Sequence, residues 1–308
     1  MPGSDPGRVA GDLRLALSEM RGAVRERVPL APLTHLRIGG PADWLVEPYG
    51  ERDVALLVTV CRDLDVPLYV LGGGSNVVVA DQGVRGVVLQ LSSLNRMVRD
   101  GNRVTAGAGV TLPSLLRATK EAGLAGLETL TGIPAVVGGA VAMNAGTRDG
   151  ETFERLVSLT VVEPDGAVAV RAREQFAPAY RDGRLGGAIV VQATFELEPD
   201  DPNAIFARFS ASLKARNASQ PVTQRSVGCV FRNPPGDAAG RLIEAAGCKT
   251  MRVGGVEVSQ KHANYFVNDD TGSAADFFAL MHEVRARVRA EFGVELTPEV
   301  KVWGAEAP

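Results

Sequence analysis

Apolar residues recur at Val54, Leu57, Cys61 and Leu64, at intervals of three and four that lie on one face of a helix starting near Glu51. On that face Cys61 is expected to be a small core residue rather than a reactive thiol. Short apolar runs at 66–71 (VPLYVL), 77–80 (VVVA) and 86–91 (GVVLQL) read as buried strands, with the turn GGGSN at 72–76 between the first two. A strand over 103–109 and a helix over 111–123 follow, with Pro113 in the first turn of the helix and Gly123 closing it. Two β-rich runs between 156 and 172 flank Pro164-Asp165-Gly166, a hairpin signal, and 188–198 is one more strand. The acidic, proline-containing segment 198–203 marks the expected domain boundary, and a helix bearing Ile205, Phe206, Phe209 and Leu213 comes after it. Turns and short elements at 225–236, 240–247 and 254–268 lead to the clearest helix of the chain. It starts at Ser273, has Asp276 in the position of a capping box, carries Phe277, Leu280, Met281, Val284, Val288 and Phe292 on one face, and stops at Gly293. His282, beside that stripe, is expected to be partly buried. Residues 1–22 mix proline, glycine and charge around one short amphipathic piece and are expected to form a loosely held arm.

The chain has 308 residues, about two domains at ~150 residues each. With 45% hydrophobic and 22% charged residues it can bury a large core. A net charge of -3 supplies no overall field for a nucleic-acid backbone or an anionic membrane, so neither partner is expected and any anionic ligand must be held locally. No apolar run approaches the roughly 20 residues of a membrane span, and the N-terminus carries charge where a signal peptide needs its apolar stretch. A cytoplasmic protein without membrane insertion is expected. Cys61, Cys229 and Cys248 form no CxxC pair, and His35, His262 and His282 are scattered, so reduced thiols and no metal centre are expected.

Glycine is over-represented, at 35 of 308 residues against an average of roughly 7%, and it is bunched. GGGSN follows a strand, yet what comes next is β-branched rather than helical and the GxGxxG pattern is absent, which argues against a dinucleotide helix of the Rossmann kind. Gly72, Gly73, Gly74, Ser75 and Asn76 can instead turn successive N–H groups inward as a nest for phosphate oxygens, and Gly107 with Gly109 offers a second such turn. The same residues suit tight hairpin turns equally well. In 131–146, Gly132, Gly138, Gly139 and Gly146 surround Pro134 and Asn144 and leave a backbone with few side chains to hold off a flat ligand. Two such segments suit one long ligand, a dinucleotide with a large ring system.

In order along the chain, LTHLRIGGPA (33–42), LGGGSN (71–76), GLETLTGIPAVVGGAVAMNAG (126–146), YRD (180–182), GCVFRNPPG (228–236), AGRLIEAAG (239–247), VSQKHANYFVN (258–268) and LTPEVKVWG (296–304) resemble the UDP-N-acetylenolpyruvoylglucosamine reductase family, flavoenzymes that complete UDP-N-acetylmuramate in bacterial wall synthesis. The resemblance implies an α+β protein: a two-part FAD-binding region of the vanillyl-alcohol-oxidase type over 23–200, split near 98, and a C-terminal α+β substrate-binding domain over 201–308. The short run from Tyr180-Arg181 to the C-terminal part resembles the shorter subtype, which lacks a substrate-capping tyrosine loop. Bound FAD, NADPH as hydride donor and a UDP-sugar substrate are implied. So are cofactor contacts at Arg37, at Gly72, Gly73, Gly74, Ser75 and Asn76, at Gly107, and along the second segment at Thr131, Gly132, Pro134, Gly138, Gly139, Asn144 and Gly146. Tyr180, Asn233, Lys261 and His262 match substrate-side positions, and His35 a packing position beside the flavin.

The implied reaction passes hydride from NADPH to flavin and from flavin to the enolpyruvyl methylene, leaving negative charge on the neighbouring carbon and its carboxylate. Arg181 aligns with the family's catalytic arginine and offers a permanently charged fork for that carboxylate. Glu299 aligns with its glutamate and is expected to assist the enol-like intermediate. Cys229 stands where the proton donor stands, in place of the serine of most relatives. An ordinary thiol, with a pKa of about 8.5, is mostly protonated at neutral pH and is a better acid than a serine hydroxyl. Without the resemblance, Arg181 reads as a loop ion pair, Glu299 as a surface charge and Cys229 as a packing residue. Other departures are Arg232 for the lysine of Lys-Asn-Pro, Gly183 for the serine of Tyr-Arg-x-Ser, and Thr147-Arg148 where an aromatic is usual. Two rival classes remain. One is another FAD-linked oxidoreductase of the same fold acting on an alcohol or sugar. The other is a thiol enzyme pairing Cys229 with His262.

Overall fold

The structure, a computed structural model, describes residues 6–147 and 149–304. Arg148, one of the departures noted above, and residues 1–5 of the expected arm lie outside them. The chain folds as two compact units. The first takes the chain up to Arg27, Asp43–Gly72 and Gly86–Leu213; the second takes Val28–Ala42, Gly73–Arg85 and the chain from Lys214 onward.

In the first unit, helix Glu51–Asp63 begins where the Asp53 carboxylate accepts the Gly50 N–H at 3.1 Å. It buries Val54, Leu57, Val58 and Cys61, and burial pushes the Cys61 thiol up to about 12, which fits its place in the core. Four strands form one sheet in the order Gly22–Pro29, Pro41–Pro48, Val84–Gln90, Leu68–Leu71. The last of these pairs in parallel with Val84–Gln90 and has no neighbour on its other side, so Val70 is exposed where a fully buried strand was expected. A second sheet runs in the order Val168–Ala172, Leu156–Val162, Ile189–Glu196, Arg103–Gly107, Met97–Asp100. The Pro164-Asp165-Gly166 hairpin is present, with the Asp165 carboxylate accepting the Ala167 N–H at 2.9 Å and Val162 paired with Val168. One sheet ends at Gln90 and the other begins at Met97, and both feed the same apolar core.

One expectation needs correction here. Residues 6–18 are not a loose arm: Pro6–Ser18 is a helix, because Leu13 and Leu17, one turn apart, are both buried in that core. The 198–203 segment, where the domain boundary was expected, is tied down locally. Glu198–Pro199 pairs with Leu124–Ala125, Asp200 N–H donates to Gly123 O at 3.0 Å, and the Arg208 guanidinium bridges Glu128 at 2.7 Å and Asp200 at 2.6 Å. The change of unit falls at Leu213, inside helix Pro202–Ser219.

The second unit is built on the sheet Arg225–Cys229, Tyr265–Asn268, Val256–Val258, Arg252–Val253, backed by helices Ala239–Ala245 and Ala274–Phe292. The long helix has the expected capping box. Ser273 Oγ accepts the Asp276 N–H at 3.1 Å, and the Asp276 carboxylate accepts the Ser273 N–H at 2.9 Å. Phe277, Leu280, Met281, Val284 and Val288 are buried. Phe292, in the last turn, is exposed with Arg241 over its ring, and His282 points to solvent instead of being partly buried, one helical step off the stripe. Strand Val77–Val79 pairs in parallel with Lys301–Trp303. No helix among the described residues is long and apolar enough to cross a membrane.

Candidate active site

The second glycine segment is not open backbone throughout, because Val137–Ala142 is a helix. Its first N–H groups are already taken: Val137 donates to Val110 O at 2.8 Å and Gly138 to Ala108 O at 2.9 Å. A Cβ on Gly138 would fall 2.9 Å from Ala108 Cβ, so this glycine lets the helix lie against the 107–110 turn. Gly107 and Gly109 form no anion nest, since their N–H groups donate to Arg96 O and Leu94 O, each at 2.9 Å, and a Cβ on Gly107 would meet Leu94 O at 2.2 Å. A Cβ on Gly146 would likewise meet Gly150 O at 2.5 Å. Thr131 spends its hydroxyl on Glu128 O at 2.6 Å.

Gly139 is different. The nearest atom to a Cβ placed there is Val136 Cγ2 at 3.8 Å, an ordinary contact, whereas a Cβ on Gly72 would press on the same atom at 3.1 Å. Gly132 and Pro134 are exposed. Backbone at Gly132, Pro134 and Gly139 is therefore uncovered, which is the cradle a flat ring ligand needs and which a side chain at Gly139 would fill. FAD fits this part of the chain by that test.

Asn144 holds the segment to the turn that carries Arg181. It is 1% exposed with φ 40, its Nδ2 donates to Glu151 Oε2 at 2.6 Å and to Ala179 O at 3.3 Å, and its Oδ1 accepts the Phe153 N–H at 3.3 Å. These bonds give the side chain a latching role. Ala179 and Asp182 exchange backbone hydrogen bonds at 2.8 and 3.0 Å, so Tyr180 and Arg181 form a two-residue turn, and Gly183 N–H donates to Ala142 O at 2.9 Å at the end of the glycine-rich helix. Arg181 has φ 57 and its guanidinium lies 4.9 Å from the centre of the Tyr180 ring. Tyr180 thus supports Arg181 directly. A Cβ at position 183 would fall 2.4 Å from Val141 O, which explains why glycine stands there in this chain.

Within the second unit the structure brings Cys229 and Glu299 together. Glu299 N–H donates to the oxygen of Val230, the residue after Cys229, at 2.8 Å, and Phe231 bridges Pro298. Asn76 clamps the other side, its Nδ2 donating to Glu299 O at 3.3 Å and its carbonyl accepting the Lys301 N–H at 3.0 Å. Asn264 fastens the cysteine strand through both ends of its amide, to Phe231 N–H at 3.0 Å and Phe231 O at 2.8 Å. Across the strand pair, Tyr265 is the direct partner of Cys229, and their side chains share a hydrogen bond. Burial raises the phenol's pKa, with Cys229 and Glu299 adding to the rise and Arg216 opposing it. Asn264, Tyr265 and Arg216 were not picked out from the sequence; the alternation of HANYFVN in a strand facing VGCVF was the available signal.

His262 packs its ring edge-on against Tyr265, with centroids 4.8 Å apart, and its Nδ1 accepts the Asn264 N–H at 3.2 Å. Burial lowers its pKa, and the nearby Lys249 charge lowers it further. The remaining residues of this unit serve local structure. Asn233 Oδ1 accepts the Ala239 N–H at 3.0 Å, capping the helix Ala239–Ala245, and Lys261 Nζ donates to Asn217 O at 2.5 Å. Arg37 donates to Pro32 O at 2.6 Å, and the His35 backbone N–H donates to Gly74 O at 2.9 Å. Gly74 has φ 67 and a Cβ there would meet Leu33 O at 2.1 Å, while Gly73 and Ser75 are half-buried beside it.

Residues 42–170 match a family described as an FAD binding domain, and residues 220–303 match the C-terminal domain of UDP-N-acetylenolpyruvoylglucosamine reductase. The chain is 43% identical over 286 residues to UDP-N-acetylenolpyruvoylglucosamine reductase 2 of Symbiobacterium thermophilum, covering 92% of this chain and 93% of that one. It is 41% identical over 297 residues to the reductase of Moorella thermoacetica, covering 96% and 97%. The crystal structure of the reductase from Thermus caldophilus superposes with a TM-score of 0.79 at 37% identity, over 92% of this chain and 99% of that one. A berberine bridge enzyme variant shares the fold alone, with a TM-score of 0.50 at 14% identity over 63% of this chain and 44% of its own. With relatives above 40% identity over nearly their full length, the chain belongs to the UDP-N-acetylenolpyruvoylglucosamine reductase family.

Proposed function

We propose that this chain reduces the enolpyruvyl ether of a UDP-linked N-acetylglucosamine to UDP-N-acetylmuramate, a precursor of peptidoglycan, with NADPH as hydride donor, and that Arg181, Cys229 and Glu299 carry the substrate side of the reaction. The observation that supports the residue assignment best is the backbone clamp between Glu299 and Val230, the residue after Cys229, with Cys229 and Glu299 both acting electrostatically on the Tyr265 phenol. When bound, FAD would supply the two-electron chemistry, with NADPH as the source of hydride. The uncovered backbone at Gly132 and Gly139 would lie against its ring system.

Hydride addition at the methylene leaves an electron pair on the carbon that bears the carboxylate. Arg181 binds that carboxylate as a fork, stabilising the charge as it spreads onto the oxygens. Glu299 assists the enol-like form, and Cys229 Sγ gives its proton to the carbon, completing the new C–H bond. A fold-mate oxidising an alcohol or sugar has no use for an acid of this kind. In the thiol-enzyme reading His262 has to serve as base, and its Nδ1 is engaged by the Asn264 N–H.

The test separates the two half-reactions. Purified protein should carry the absorbance of oxidised flavin and be bleached by NADPH without oxygen. In Cys229→Ala the bleaching should keep its normal rate, since that step needs no thiol proton, while reoxidation by the enolpyruvyl substrate should stall and be largely restored in Cys229→Ser. Reoxidation of Cys229→Ala at the parental rate would return Cys229 to a packing role and leave Glu299 as the next acid to examine.

A further inference from the structure

The bulge between Ser226 and Cys229, made with Gly228 at φ 77, brings Cys229 directly opposite Tyr265 on the neighbouring strand. Directly opposed residues project from the same face of a sheet, close enough for their side chains to touch. Here the phenol hydroxyl and the thiol share a hydrogen bond. The ring has little freedom to leave, since Tyr265 is 6% exposed, His262 packs edge-on against it, and Tyr265 N–H is tied to His262 O at 2.9 Å.

Resting on the assignment of Cys229 as the acid, we propose that Tyr265 is a positioning residue for it, orienting the thiol and donating its O–H to the sulfur once the proton has gone to the substrate carbon. In that step the S–H bond breaks, a C–H bond forms from the electron pair on the carbon next to the carboxylate, and the pair left on sulfur accepts the Tyr265 O–H. The sulfur regains its proton from solvent before the next turnover. No further oxidant or reductant enters. Burial holds the phenol protonated, with the neighbouring Glu299 acting in the same sense, so Tyr265 remains a donor and is not the proton source. A hydrogen bond to a charged acceptor is stronger than one to a neutral acceptor, so the contact favours the thiolate over the thiol.

Tyr265→Phe in the FAD-loaded enzyme tests this. NADPH should bleach the flavin at the parental rate, and the enolpyruvyl substrate should reoxidise it about tenfold more slowly or worse, the usual effect of losing one hydrogen bond to a charged atom. Independently of turnover, the pH at which Cys229 becomes half-reactive towards iodoacetamide, followed by mass spectrometry of its peptide, should move upward. In Cys229→Ala, adding Tyr265→Phe should change nothing further. An alkylation profile that does not move, or an equal loss in the Cys229→Ala background, would overturn the proposal. If Cys229→Ala reoxidises normally while Tyr265→Phe still shifts the alkylation profile, the acid assignment has failed, and the catalytic role of the pair with it.

Discussion

Arg181 is held by more than its own charge. Its left-handed backbone, the Tyr180 ring beneath the guanidinium and the Asn144 bond to Ala179 O all fix where the fork points. Arg181→Lys keeps the charge and loses the planar pair of donors. It should leave the melting temperature unchanged and cut kcat by well over tenfold, as expected when a transition-state contact of about 2 kcal/mol or more is lost; a near-normal rate would make the arginine a loop residue. His262 carries a different consequence. Its pKa lies below the ordinary imidazole value of 6.5 because it is buried and near Lys249. Below 6.5 the unfolded chain therefore binds the proton first, so stability is fully present above 6.5 and falls as pH drops from 6.5 through the lowered folded value. Protonation would also take Nδ1 away from the Asn264 N–H. Thermal melts between pH 7 and 5 should show His262→Gln losing less stability than the parent on acidification, and parallel curves would remove His262 from that account.

Two adjacent glycines in helix Val137–Ala142 separate packing from ligand approach. A methyl group on Gly138 presses on Ala108, whereas one on Gly139 meets only ordinary contact. Gly138→Ala should therefore destabilise the apoprotein by about 1–3 kcal/mol, as overpacking does. Gly139→Ala should leave the apoprotein melting point level or slightly raised, since alanine is the better helix former, and should lower flavin content measured at saturating FAD. Equal flavin content in parent and Gly139→Ala would move the cradle elsewhere. The sequence could not reveal this helix, because two glycines in six residues oppose helix formation and only contact with the 107–110 turn makes it stable. Helices Glu51–Asp63 and Ala274–Phe292 were readable because their apolar spacing and caps are local. Among the described side chains of Pro6–Ser18 only Leu13 and Leu17 are buried, too few for a periodic signal. At the site, the motif residues were found by resemblance. Tyr265 was not, since its importance comes from strand register across a bulge, a relation between segments far apart in the chain.

The second unit draws its core from segments on both sides of residue 200. Its core includes Leu36, Ile38 and Val78, all buried with Phe266, Phe277 and Leu280. Strand Val77–Val79 supplies the pairing for Lys301–Trp303, Leu36 O accepts the Asn268 Nδ2 at 2.8 Å, and the Asp81 carboxylate accepts the Ala274 and Ala275 N–H groups at 2.9 and 3.0 Å, at the start of the long helix. Burial of three aliphatic side chains of this size contributes about 1.5–3 kcal/mol each, which together rivals the whole stability of a typical domain, ~5–15 kcal/mol. A fragment of residues 214–308 should therefore lack a cooperative thermal transition and near-ultraviolet dichroism, while keeping some helical signal from the segment around Ala274–Phe292. Adding back 28–42 and 73–85 through flexible linkers should restore the transition, because those segments return both the missing core and the carboxylate at the helix start. A sharp melt in the 214–308 fragment by itself would show that the two inserted segments decorate the unit rather than build it.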